Sequence, residues 1–131
     1  MIDFVLDGQS GVPAYLQIVH QVRQALRLGL LGPGDQLPTV REVVAQVAIN
    51  PNTVLKAYRE LEMEGLVASR PGLGTFVLKS LAGPSLASHA QLQADLRRWL
   101  VAARSAGLDE ESIAALFTRT VREPRAGRLA S

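Results

Sequence analysis

The chain has 131 residues, no cysteine, 47% hydrophobic residues and a net charge of +2 at neutral pH. This suffices for one domain with a core plus a small appendage and leaves no room for a large catalytic scaffold. Disulfides and thiolate metal sites are excluded, and no apolar run approaches the roughly 20 residues of a membrane-spanning helix. The start, Ile2-Asp3-Phe4-Val5-Leu6-Asp7, lacks the basic lead and continuous apolar stretch of a secretory signal, so the cytoplasm is the expected location. Residues 1–80 hold seven Lys/Arg against seven Asp/Glu, and residues 81–131 hold seven against five, so the basic excess lies wholly in the second part. Binding to phosphates would have to come from the placement of charges on one face, not from their sum.

Ile2, Phe4 and Leu6 alternate with Asp3, Val5 and Asp7, which predicts a short strand or an extended arm with one buried side. Gly8 to Gly11 break the chain. From Pro13, suited to a first helical turn, Tyr15, Ile18, Val19, Val22 and Leu26 recur at three- and four-residue steps and predict a helix to about Leu30. Gly32-Pro33-Gly34-Asp35 is expected to stop it. Thr39 to Glu42 reads as a capping box at the start of a short helix, roughly Val40 to Val47. Asn50 then caps a third helix with Pro51 at its first position. Along it Val54, Ala57, Tyr58 and Leu61 form one stripe, leaving Asn52, Leu55, Lys56 and Arg59 on the opposite face.

Gly65 ends that helix, and Glu60, Glu62 and Glu64 near its C-terminus would repel phosphate, so its other end is the one suited to DNA. Leu66 to Ser69 and Thr75 to Leu78 are strand candidates joined through Arg70-Pro71-Gly72-Leu73-Gly74, a hairpin whose tip can take positive φ. Residues 80–87 have linker character. A helical region from about Ser88 to Arg104 carries Leu92, Leu96, Trp99, Leu100 and Ala103 on one side, and Gly107 terminates it. Asp109 caps a last helix with Ile113, Leu116, Phe117 and Val121 as its stripe, and residues 124–131 read as a mobile basic tail. The fold class is mostly α, with some β: a winged helix-turn-helix over 1–79, then a two-helix region over 88–123.

The start of the third helix offers backbone amides with Asn52 and Thr53, and its outer face adds Lys56 and Arg59. Helix-end amides and hydroxyls hold phosphates, and asparagine can pair with adenine in a major groove. Arg41 in the preceding helix could clamp backbone or read guanine. Arg70 with Gly72 and Gly74 could reach a neighbouring minor groove. Each has a plainer reading: Thr39 and Asn50 are caps first, Lys56 and Arg59 taken singly a solvated face, the two glycines a turn. Catalysis finds no support, since His20 and His89 are isolated and neither a nucleophile-base set nor metal-ligand spacing appears. No cofactor is implied.

The runs PAYLQI at Pro13 to Ile18, PGDQLPTVRE at Pro33 to Glu42, NPNTVLKAYRELEMEGL at Asn50 to Leu66 and the G-x-G-T-F-V ending at Val77 resemble the DNA-binding domain of GntR-family transcription regulators. The resemblance covers roughly Ile2 to Lys79. It implies that Arg41 stands at a DNA-contacting position, that Asn50, Asn52 and Thr53 begin the recognition helix with Lys56 following, and that Gly72 and Gly74 form the wing. Two positions depart from the pattern. Leu55 stands where many members place arginine, so that base contact does not carry over and a thymine methyl or a supporting role takes its place. Pro51 replaces a residue that is sometimes basic, although N-P-N-T-V is similar to the YtrA-like branch.

About fifty residues follow Lys79, too few to enclose a metabolite pocket easily, and whether a small-molecule effector exists is not encoded in them. The apolar stripes there imply a homodimer, with Leu92, Leu96, Trp99, Leu100, Leu116 and Phe117 at its interface, because one winged helix covers only a half-site. The resemblance further implies a repressor on a pseudo-palindromic operator, with transporter genes as a suggested target. The alternative is a winged-helix module that binds protein rather than double-stranded DNA.

Overall fold

Phe4 is buried, with Ile2 and Leu6 packed beside it, while Asp3, Val5 and Asp7 face solvent. The segment is an arm and not a strand, because its backbone partners are side chains. Val5 N–H donates to the Gln21 amide oxygen at 3.0 Å and Asp7 N–H to that of Gln17 at 2.8 Å. In the computed structural model, residues 2–83 and 86–124 are described, without the side chains of 86–88. Residues 84–85 of the expected linker and 125–131 of the expected tail lie outside them. The chain divides into two compact units, Met1–Leu86 and Ala87–Ser131.

The first unit holds helices α1 (Ala14–Arg27), α2 (Val40–Val47) and α3 (Pro51–Met63), followed by strands β1 (Val67–Arg70) and β2 (Gly74–Val77). Ile18, Val22 and Leu26 of α1 meet Val43 of α2, Val54, Ala57 and Leu61 of α3, and Val67 and Val77 of the strands in one core. α1 ends three residues before the expected Leu30. Gly29, at φ 73°, lets its own N–H reach the Leu26 carbonyl and that of Leu30 reach Ala25, so the final carbonyls are satisfied before Gly32-Pro33 is met.

β1 and β2 pair antiparallel from Val67 opposite Val77 to Arg70 opposite Gly74, leaving Pro71-Gly72-Leu73 as the loop. Each strand is displaced by one residue from its expected span, so Arg70 and Gly74 are strand ends and not tip residues. The register is held from outside the hairpin. Leu37 N–H donates to Thr75 O and Val77 N–H to Asp35 O, both at 2.8 Å, so residues 35–37 run along β2 as a third extended segment. The result is a mostly helical winged helix-turn-helix.

The second unit holds α4 (Leu86–Ser105), apart from its first residue, and α5 (Glu110–Arg122). α4 begins two residues before the expected Ser88, so the end of the expected linker is helical. Asp109 caps α5 by accepting from Ser112 N–H at 2.8 Å, and Arg104 pairs with Glu110 at 2.9 Å across the turn. The Ser112 hydrogen bond lowers the Asp109 carboxyl pKa, and the Arg104 hydrogen bond and charge lower that of Glu110. Among the described residues no helix is long and apolar enough to cross a membrane.

Candidate nucleic-acid interface

The turn from α2 to α3 fixes which residues of α3 face outward. Thr39 Oγ1 accepts from Glu42 N–H and the Glu42 carboxylate accepts from Thr39 N–H, each at 3.1 Å, so both halves of the capping box form. Ala48 then takes a left-handed conformation, φ 51° and ψ 48°. Asn50 Oδ1 accepts from Asn52 N–H at 2.8 Å, and Pro51 occupies the first position of α3. Tyr58 ties α3 to the segment that leads into α2: its buried hydroxyl donates to the Pro38 carbonyl at 2.6 Å. Burial raises the Tyr58 pKa, and the Glu42 charge adds to the effect, so the hydroxyl stays a donor at neutral pH.

With Val54, Ala57, Tyr58 and Leu61 inward, α3 exposes Pro51, Asn52, Leu55, Lys56 and Arg59, with Thr53 half-buried. This face has two flanks. On one, Leu55, Arg59 and Glu62 line a cleft of about 560 Å³ closed by Thr39 and Val40 of the α2 start and by Arg70, Pro71, Gly72 and Gly74 of the hairpin. On the other, the Lys56 ammonium sits 4.0 Å from the centre of the Tyr15 ring on α1. Arg41, second in α2, is exposed. The cleft thus gathers Thr39, Arg59, Arg70, Gly72 and Gly74, whereas Lys56 points to the side away from the hairpin.

The hairpin is anchored at both strands. Ser69 N–H donates to the Glu62 carboxylate at 2.8 Å, joining β1 to α3. The Gln36 amide donates to Leu73 O at 3.1 Å, and a Cβ on Gly74, at φ 126°, would meet that amide at 2.5 Å. Gly74 therefore permits the close approach that holds the loop. Gly72 at the tip has open space around it. The Arg70 guanidinium lies over the Phe76 ring, 5.1 Å from its centre. Sequence reasoning missed Gln36, and it missed the contacts of Tyr15 with Lys56 and of Glu62 with Ser69; the extended Asp35-Gln36-Leu37 ahead of Pro38 was the one local signal available for Gln36.

Charge placement resolves the neutral sum of this unit. Six of its acids accept hydrogen bonds from within the fold: Asp3 from Gln46, Asp7 from Gln9, Asp35 from Gly32, Glu42 from Thr39, Glu62 from Ser69 and Glu64 from Arg23. Among the described residues Arg41, Lys56, Arg59 and Arg70 pair with no carboxylate. The acids are tied to structural positions, while these four cations project from the surface of α2, α3 and the hairpin.

Residues 14–77 match the family described as bacterial regulatory proteins, gntR family. The repressor YtrA of Bacillus subtilis is 34% identical over 109 residues, which is 82% of this chain and 84% of that protein. The chain belongs to the GntR family. YtrA from Sulfolobus acidocaldarius, a GntR-family transcription factor of known structure, is 29% identical with a TM-score of 0.53 over 90% of this chain and 96% of its own. The DNA-binding domain of AraR in complex with operator ORX1 is 28% identical, TM-score 0.51, over 58% of this chain and 95% of its own. The family is one of transcription regulators and not of enzymes.

Proposed function

We propose that this chain is a homodimeric repressor that binds a pseudo-palindromic operator in the cytoplasm, with transporter genes among its targets. The observation that carries DNA recognition is the set of four cations free of carboxylates around a helix start and hairpin whose acids are structurally committed. In this reading the start of α3, with Asn50, Pro51, Asn52 and Thr53, enters a major groove, and Lys56 and Arg59 hold its phosphates. Arg41 clamps backbone or reads guanine, and Arg70 with Gly72 and Gly74 follows the adjoining minor groove. Dimerisation is supported by the second unit, where among the described residues only Ala103 and Ile113 are buried while Leu92, Leu96, Trp99, Leu116 and Phe117 are exposed and Leu100 is half-buried.

The deciding experiment is retardation of the DNA upstream of the chain's own operon across a salt series. Wild-type binding should weaken steeply with salt, the logarithmic slope being about −0.9 for each phosphate neutralised. Arg41→Ala and Lys56→Ala should each flatten that slope, and a base contact would add a loss of roughly 1–3 kcal/mol. Wild-type affinity in both variants overturns the assigned face, whereas a salt-independent response, or no retardation of the DNA, favours the protein-binding module.

A further inference from the structure

We infer that Leu55 reads a thymine methyl, so that part of the operator preference is set by an apolar contact and not by hydrogen bonding. The inference rests on the DNA-binding reading above. Leu55 is fifth in α3, on the exposed face between Asn52 and Arg59, and is 37% exposed where its neighbours Val54 and Ala57 are fully buried. It lies outside the cluster of residues that forms the core. Val40 and Tyr58 stand beside it in the cleft wall, and Arg59 and Arg70 border the same cleft.

An aliphatic side chain among cations can neither hold a phosphate nor hydrogen-bond a base edge. The apolar feature that a major groove offers is the C5 methyl of thymine. Asn52 lies three residues earlier on the same face, and its amide is suited to the donor-acceptor pair on adenine. Asn52 and Leu55 together fit a short run of A·T pairs, adenine read by the amide and thymine by the leucine.

The test uses the duplex that the full chain enriches from a random DNA pool, with each thymine replaced in turn by uracil, which pairs identically but lacks the methyl. Wild-type protein should lose about fourfold in affinity at one thymine of each half-site, as expected for one buried carbon. Leu55→Ala should show no loss at that position and should bind the thymine duplex about as wild type binds the uracil one. Because the thymine-to-uracil ratio is taken within one protein, a smaller folded fraction of the variant does not alter it. A flat scan in wild type, or a loss that persists in Leu55→Ala, overturns the inference while leaving DNA binding intact. Failure to enrich any sequence overturns the DNA-binding reading itself.

Discussion

Tyr58 joins stability to the geometry of the reading head through one hydroxyl. Its hydrogen bond to Pro38 O spans 20 residues and ties the approach to α2 onto the middle of α3. Tyr58→Phe keeps the ring but leaves a buried carbonyl without a donor, which should cost about 1–3 kcal/mol. Urea unfolding should show a lower midpoint at an unchanged slope. The raised pKa adds a signature in pH. The protonated hydroxyl is favoured in the folded state, so its contribution is complete below the ordinary tyrosine range and declines as pH rises through it, when the unfolded chain ionises first. That alkaline decline should shrink in Tyr58→Phe.

The turn between α2 and α3 holds an alanine where the backbone favours glycine. Ala48 is exposed, so its methyl adds nothing to the core, yet its left-handed conformation costs an L-residue roughly 1–2 kcal/mol. Ala48→Gly removes that strain and frees the unfolded chain, for a net gain of roughly 0.5–1 kcal/mol. A higher melting temperature checks it, and an unchanged or lower one would mean that the strain is absorbed elsewhere. Local chemistry made this part of the chain legible. A capping box, an Asn-Pro helix start and a glycine-tipped hairpin are short-range signals, and α2 and α3 begin where those residues put them. The features that were missed depend on distant partners. The one-residue displacement of the strands comes from residues 35–37 pairing with β2, and the position of Lys56 comes from a ring some forty residues earlier. At the end of α1 two breakers competed, and Gly29 acts before the more conspicuous Gly32-Pro33.

At the scale of the molecule, a small neutral reading head is followed in the chain by a helical hairpin that, among the described residues, has almost no core of its own. Chains below about 40 residues seldom bury enough apolar surface to stand alone. α4 and α5 leave Leu92 63%, Phe117 55% and Trp99 39% exposed. Leu92, Leu96, Trp99 and Leu100 recur along α4 at helical spacing, and Leu116 and Phe117 supply the corresponding stripe on α5, so a second copy offering the same surface would satisfy both. In the proposed homodimer, Leu96→Ala combined with Trp99→Ala should shift sedimentation from dimer to monomer. The melting of the first unit should be nearly unchanged, because none of its core residues is altered. Operator binding should weaken far more on a duplex with two half-sites than on one with a single half-site, since only the former uses both reading heads. A wild-type chain that sediments as a monomer at the concentrations that retard the operator would place the function in single winged helices. Equal losses on both duplexes would instead mean that α4 and α5 support the reading head directly.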